Sequence, residues 1–264
     1  MELCMKILDR DMRTKAVNRG TDEVNLVYSQ EYEPEDRIVL ETSKEAAWIW
    51  LQFDDALGRS LVYVTGNVTY IVPFGEKRIN LSPKAFYGKK HLLCARKARD
   101  FETDIYRNLA VNVCDQHHLE NCYPHVSANV ETRGEAVFAA QNAIDGVTVN
   151  TAHGEWPYQS WGINRQADAV IRLSFGRTVE IDKIILYCRA DFPHDNWWKS
   201  VKFTFSDGSE LKMQMEKSVL PHELDFPAKQ VSWLEMGQMV KSGEPSPFPA
   251  LTQMEVYGRE IRVS

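Results

Sequence analysis

The most regular pattern in the chain is DAVIRLSFGRTVEIDKIILYCRA, residues 168–190. Its first part alternates apolar and polar residues as far as Gly176, and its second part, from Ile181, is an almost continuous apolar run. Alternation is typical of a β-strand with one buried face, and a short continuous run is typical of a strand that is covered on both faces. This stretch therefore predicts two strands closed by turn residues.

Similar patterns lie on either side of this stretch and fill much of the first half of the chain. They are short, rich in β-branched and aromatic residues, and separated by turn residues. The segments are RIVLET (37–42), AAWIWLQF (46–53), SLVYVTG (60–66), VTYIVPF (68–74), KRINLS (77–82), KHLLCARKA (90–98), SVKFTFSDGSEL (200–211), KQVSWLEM (229–236) and LTQMEVYG (251–258). They predict an all-β fold of antiparallel sandwiches. The only helix expected is a short one at 137–144.

The chain has 264 residues, which exceeds the ~250 at which a single core usually stops growing. A charged stretch, RKARDFETDIY at 96–106, follows the last strong strand of the first half. We therefore expect two β-sandwich domains, one at 1–104 and one at 105–264. Trp161 and Trp233 are assigned to the core of the second domain, and Trp48 and Trp50 to one face of a strand in the first.

Composition limits the partners. With 31 Lys and Arg against 37 Asp and Glu, the net charge is -6, and there is no basic stripe of the kind that binds nucleic acid. No run is long enough to span a membrane. The N-terminus lacks the apolar core of a signal peptide, and five cysteines are an odd number without a disulfide spacing. A cytoplasmic protein is expected, with secretion left open, and the oligomeric state is not indicated.

The loop NAIDGVTVNTAHGEWPYQSW, residues 142–161, carries most of the chemical information. It places oxygen donors around an Asp-Gly turn, which suits a hard cation such as calcium. The same loop carries a histidine and two aromatic residues besides its terminal tryptophan, and these suit a planar or sugar-like ligand.

From about Asn108 to Gly258 the chain resembles the discoidin or coagulation-factor type C family, which is close to the galactose-binding-like carbohydrate-binding modules appended to bacterial glycosidases. The resemblance is carried by the following segments, in order: NLAVN (108–112), AIDG (143–146) with Thr151 and Trp161 after it, DAVIRLSFGRTVEIDKIILY (168–187), SDGS (206–209) and MEVYG (254–258). It implies a jelly-roll sandwich that binds ligand through loops at one end. The first domain resembles nothing more specific than an immunoglobulin-like or jelly-roll sandwich.

The resemblance also implies a structural calcium ion. In this family a carboxylate of the Asp-Gly loop, a threonine shortly after it, main-chain carbonyls and a glutamate of the last strand hold the metal. Here these positions are Asp145, Thr151, Glu255 and, as a carbonyl donor, Asn142. One departure is Val147, where many relatives have an acidic residue.

For the ligand, sugar-binding relatives use a histidine, an aromatic residue three positions later, an arginine and an asparagine from the next loop, and a late aromatic residue. Aromatic faces cover the apolar C–H patch of a pyranose, and the polar groups bind its hydroxyls. The matching residues are His153, Trp156, Arg189, Asn196 and Phe248, with Tyr158, Asp191, His194 and Trp197 as further rim candidates.

The sequence thus predicts a non-catalytic carbohydrate-binding protein for galactose- or N-acetylhexosamine-type glycans, with a structural calcium ion. A protein-interaction module that uses the same loops, and a glycan-active enzyme with a site between the domains, remain alternatives. Acid-base pairs could come from His153 with Glu155 or from the Asp191 to Asp195 segment. A zinc site is a further alternative, because the segment 114–125 contains two cysteines and three histidines.

Overall fold

The computed structural model describes residues 1–149 and 153–261, which are mostly strands. No helix in this described part is long and apolar enough to cross a membrane. The strands are β1 (Glu2–Leu8), β2 (Thr14–Thr21), β3 (Glu23–Tyr28), β4 (Arg37–Thr42), β5 (Ala47–Gln52), β6 (Ser60–Val64), β7 (Val68–Ile71), β8 (His91–Lys97), β9 (Arg107–Asn108), β10 (Cys122–Tyr123), β11 (His125–Ala128), β12 (Trp161–Gly162), β13 (Ile171–Cys188), β14 (Trp198–Phe205), β15 (Glu210–Gln214), β16 (His222–Lys241) and β17 (Ala250–Glu260). The helices are α1 (Asp100–Thr103) and the 3-10 helices Gly75–Arg78, Thr132–Gly134, Ala136–Phe138 and Ala140–Ile144.

The first half of the chain forms two antiparallel sheets that face each other. One sheet has the order β2-β1-β4-β7 and the other has the order β10-β6-β5-β8-β3. Alternate residues of each strand point inward, so Met5 and Leu40 from the first sheet and Leu51 and Val62 from the second belong to one buried apolar cluster. The predicted all-β sandwich is confirmed.

The second half forms one large curved sheet with the order β12-β17-β13-β16-β14-β15, to which β9 and β11 add at β17 and β13. Strand β13 has different neighbours along its length. Its residues 171–174 lie between β11 and β16, and its residues 179–188 pair with β17. The sheet therefore folds over itself around a second apolar cluster, which includes Trp161 and Trp198. The two strands expected within 168–190 are one bent strand.

The bend in β13 lies at Gly176, in the gap of the β13–β16 register between Ser174 and Val179. Gly176 has a φ of +69°, and a Cβ atom there would lie 2.3 Å from the ring of Tyr123. Both facts demand glycine, because other residues adopt this φ at a cost and would overlap the ring.

The two halves are in contact. Cys114, Leu119 and Cys122 belong to the apolar cluster of the first half, and β10 pairs with β6. Since these residues follow position 104, the segment after the expected boundary packs on the first sandwich. The division at residues 104 and 105 stays a prediction.

A cluster of cations joins the sheets of the two halves. The ring of Trp48, on β5, lies 4.0 Å from the guanidinium of Arg177 and 4.9 Å from that of Arg107. Both arginines also form ion pairs with Glu260, at 2.6 and 2.9 Å. The bidentate contacts and the indole face hold β13 and β17 against β5.

Some local predictions were wrong. The segment KRINLS was expected to be a strand, but Gly75–Arg78 is a 3-10 helix, followed by a hydrogen bond from Leu81 N to Arg78 O that continues the turn. Trp233 was assigned to the core, yet it is half-buried beneath the Arg172 guanidinium, 3.9 Å from its ring. The first 28 residues contain three strands that the sequence pattern did not single out.

We predict that Gly176→Ala destabilises the protein by about 2–4 kcal/mol, because it adds overlap with Tyr123 to the strain of a left-handed alanine. Gly208→Ala is the matched control, since Gly208 has a φ of +81° but nothing within 4 Å of its Cβ position. That variant should lose only about 1–2 kcal/mol. Urea denaturation measures both, and equal losses would show that the Tyr123 contact is unimportant.

Candidate functional site

Loops at one end of the second sandwich enclose an open pocket, called the loop pocket below. Its empty space, which includes part of the solvent, is about 480 Å³. The lining residues are Thr132, Arg133, Phe138, His153, Gly162, Ile163, Asn164, Arg165, Arg189, His194, Pro247, Phe248, Pro249 and Ala250.

Four rings form a row along the loop pocket. Phe138 stacks on His153 with 6.2 Å between ring centroids, His153 stacks on His194 at 4.2 Å, and His194 stacks on Phe248 at 5.7 Å. The planes of successive rings differ by 8°, 25° and 16°. Tyr158 meets His153 edge-on at 5.6 Å and supports it from the side. The row combines apolar rings with imidazole nitrogens.

A buried ion pair fixes the base of the loop pocket. Arg189 follows β13 directly and is 2% exposed, and Asp195 is fully buried. Arg189 Nη2 lies 2.7 Å from Asp195 Oδ1, and Arg189 Nε lies 2.9 Å from Asp195 Oδ2. Asp195 also accepts the main-chain N–H of Asp191 at 3.0 Å and lies 3.0 Å from His194 Nδ1. The pair therefore sets the position of one ring in the row.

Asn196 holds the neighbouring loop. Its side-chain amide donates to the carbonyls of Glu244 and Ser246, and its Oδ1 accepts from the Ser242 hydroxyl at 2.6 Å. Its main-chain N–H donates to the carbonyl of Phe248. Because Asn196 is fully buried, its polar atoms serve the 242–248 loop rather than a ligand.

The structure brings four of the predicted ligand residues together and separates the others. His153, Arg189, His194 and Phe248 line the loop pocket. The other five do not line it. Trp156 is 42% exposed, and Tyr158 supports His153 from the side. Asp191 and Asn196 belong to the hydrogen-bonded 191–196 loop, and the indole of Trp197 donates to Glu244. For Asn196 the predicted role as a ligand contact is replaced by a structural one.

Sequence reasoning missed Phe138, Arg133 and Arg165, which also line the loop pocket. Phe138 lay in the predicted short helix and carried no further signal. Arg133 and Arg165 are exposed arginines in loops. Such residues are common, and the sequence alone does not indicate that these two lie at one pocket.

His153 has an unusual environment for its charge. Burial, then the nearby guanidinium of Arg189 and the ring of His194, lower the pKa of His153 below its ordinary value of 6.5. The ring is therefore neutral at pH 7 and offers a ligand one donor and one acceptor nitrogen.

We predict that His194→Ala raises the pKa of His153, because it removes part of the burial and a neighbouring ring that lowers this pKa. The His153 ring protons, followed by NMR from pH 8 to about pH 5, report the shift. His117→Ala, which removes a histidine paired with Glu131, is the control and should leave the His153 titration unchanged. A His153 pKa at or above 6.5 in the unaltered protein would contradict the described packing.

The predicted calcium ligands do not come together among the described residues. Asp145 Oδ1 accepts from Val147 N at 2.8 Å, and its Oδ2 accepts from Gln159 at 3.0 Å. Burial raises the pKa of Asp145 to about 7. The strand residue that reaches the turn is neutral Gln253, whose Oε1 accepts from Gly146 N at 3.1 Å.

The other predicted calcium ligands lie elsewhere or outside the description. Glu255 is bonded to Tyr257 instead, at 3.2 Å, and burial raises its pKa. The side chain of Asn142 bonds to Asn80, Ala136 and Ser160, and the predicted role of its carbonyl as a calcium ligand stays a prediction. Thr151 lies outside the described residues. A single carboxylate is a poor fit for calcium, so the metal stays a prediction from the resemblance.

Gln253→Glu tests this turn directly. A second carboxylate beside Asp145 should lower the melting temperature in chelator, because two buried acids repel, and millimolar calcium should restore it. Gln230→Glu, at an exposed position of β16, is the control without such a response. If calcium raises the melting temperature of the unaltered protein by more than ~5 °C, one carboxylate is enough to bind calcium at this turn. The description of the turn as a poor fit for calcium is then wrong.

The segment that suggested zinc is divided between different contacts. Cys114 and Cys122 are buried in the first core, His117 pairs with Glu131 at 2.6 Å, and His125 pairs with Asp115 at 2.7 Å. Within residues 1–149 and 153–261, no group of three or more His, Cys, Asp or Glu side chains is arranged to hold a metal ion.

Comparison with known proteins gives a family match and several structural similarities. Residues 121–246 match the family described as Domain of unknown function (DUF7402). No curated protein sequence matches the chain.

Among solved structures, the chain is similar to chitosan-binding module 1 of a chitosanase/glucanase from Paenibacillus sp. IK-5, with 18% identity over 57% of this chain and 98% of that one and a TM-score of 0.39. It is also similar to the family 32 carbohydrate-binding module of C. perfringens NanJ in complex with galactose, with 17% identity over 58% and 99% of the two chains and a TM-score of 0.41. A Streptococcus pneumoniae fucose-binding module, SpX-3, has 14% identity over 58% and 98% and a TM-score of 0.42.

These modules are of the kind that the sequence resembles. What they bind is a property of those proteins. A function for this chain is therefore inferred from the residues of its own loop pocket.

Proposed function

We propose that the loop pocket binds a carbohydrate and that the protein acts as a non-catalytic binding protein for galactose- or N-acetylhexosamine-type glycans. The observation that carries this proposal is the row of four rings in an open pocket. Phe248 is 36% exposed and the side chain of His194 is 43% exposed, so part of the row is open to solvent.

A pyranose suits this surface because it is amphipathic. One face of the sugar carries C–H groups that pack on aromatic rings, and its edges carry hydroxyl groups that need donors and acceptors. Neutral His153 supplies both kinds of hydrogen-bonding atom. The buried Arg189–Asp195 pair holds His194 in place before ligand arrives, which lowers the cost of ordering the site.

Binding without hydrolysis agrees with the charged groups present. Enzymes that cleave glycosidic bonds commonly use two carboxylates about 5–9.5 Å apart. No Asp or Glu is among the pocket-lining residues of the described chain. Asp195 contacts His194, which lines the pocket, and it is buried against Arg189, where its oxygens already accept hydrogen bonds.

We expect galactose and N-acetylgalactosamine, or oligosaccharides ending in them, to bind with a dissociation constant of about 1 mM, since the site is shallow. Calorimetric or NMR titration measures this affinity. Phe248→Ala should weaken binding at least about tenfold by removing one ring of the row.

Tyr87→Ala is the matched control. Tyr87 is a ring that is 72% exposed, with the Arg78 guanidinium 5.7 Å from its centroid. This pair copies that of Phe248 with Arg165, but neither Tyr87 nor Arg78 lines the loop pocket. The Tyr87→Ala variant should bind galactose as tightly as the unaltered protein does. The proposal fails if the folded protein binds no glycan, or if Phe248→Ala binds as well as the control; a bound protein ligand would then be the better explanation.

A further inference from the structure

The charged side chains that line the loop pocket are all basic. Arg133, Arg165 and Arg189 line it together with His153 and His194, and no acidic side chain of the described chain is among the lining residues. The whole protein has a net charge of -6. A basic lining in a protein of net negative charge favours a ligand that carries an anionic group.

The three arginines differ in how far their charge is already neutralised. Arg189 is paired with buried Asp195. Arg133 makes two contacts with Glu135, at 2.6 and 2.7 Å, on the surface. Arg165 has no ion pair or hydrogen bond within residues 1–149 and 153–261, so it supplies the uncompensated positive charge.

Arg165 is nevertheless held in a defined place. Its guanidinium lies over the ring of Phe248, 4.9 Å from the centroid. Its backbone, like that of Asn164, has a positive φ, at 61° and 48° respectively. This turn is fixed by a hydrogen bond from Asn164 N to the Thr132 hydroxyl at 2.9 Å. Backbone strain of this kind costs free energy and persists where the surroundings hold it.

We infer, on the basis of the proposed carbohydrate site, that the preferred sugar carries an anionic group and that Arg165 is the residue that selects it. A carboxylate, as in a hexuronic acid, is the group that fits, because the planar guanidinium binds two carboxylate oxygens in parallel. The sugar ring would pack on the row of rings, and its carboxylate would face Arg165 at the Phe248 end.

The test compares sugars that differ only in the charged group. Galacturonic acid should bind about tenfold more tightly than galactose, the gain expected from a charge-assisted hydrogen bond. Raising the salt from about 0.1 M to about 1 M shortens the Debye length from about 10 Å to about 3 Å and should reduce this preference. Galactose 6-sulfate is included to separate a carboxylate from another anion.

Arg165→Gln should bring the ratio of the two affinities to about one, and Arg165→Lys should restore only part of it, because lysine keeps the charge without the planar fork. Arg78→Gln is the matched control and should leave the ratio unchanged, since Arg78 lies over Tyr87 and neither residue lines the loop pocket.

The outcomes separate this inference from the proposal on which it rests. Equal affinity for galactose and galacturonic acid overturns the inference and leaves the carbohydrate site in place. A preference for the sulfate over the carboxylate overturns the assignment of a carboxylate. Absence of binding by all three sugars overturns both statements.

Discussion

The buried ion pair between Arg189 and Asp195 is the interaction on which the loop pocket depends. Removing two charges from water costs several kcal/mol per ion, and the cost is offset only if geometry is good and the remaining hydrogen-bonding atoms find partners. Asp195 meets these conditions through Arg189, the Asp191 N–H and His194. Loss of either charged partner would leave the other buried and unpaired, at a cost of about 3–5 kcal/mol.

The ion pair is one of a set of side-chain bonds that replace secondary structure in the loops. Buried loop backbone needs partners for its N–H and C=O groups. Asn196 supplies them to the 242–248 loop, and Asn142 supplies them to Ala136 and Ser160 while bonding Asn80 in the first half of the chain. The rings of the pocket therefore come from segments that are each fixed at their base.

Features that depend on neighbouring residues in the sequence were predicted, whereas contacts between residues far apart in the chain were missed. Strand β4 coincides with RIVLET because alternation is a local property of the chain. His153, Arg189, His194 and Phe248 were predicted through the family resemblance, and they do line the loop pocket. Asn196 and Glu255 have the expected residue types, but their contacts are decided by how loops pack and by the register of β17.

The register of β17 illustrates this limit. The pairing of β17 with β13 shifts between Tyr187 and Cys188, close to Gln253. A register shift in a strand changes which side chain faces a given loop. Beyond this shift, Gln253 reaches the Asp-Gly turn, and Glu255, two residues further along the same strand, bonds to Tyr257. No local feature of LTQMEVYG indicates the shift.

The charge distribution also limits the size of the anion that the loop pocket can select. At physiological salt the Debye length is about 8 Å, and charges farther apart than this are largely screened. Within that distance, the net charge of -6 repels a polyanion. Proteins that bind polyanions present many cations in a stripe, whereas here one of the three arginines that line the loop pocket has no ion pair among the described residues. Attraction is therefore confined to groups in contact with Arg165. A single acidic sugar at the end of a glycan satisfies that condition, because the rest of the glycan need not be charged.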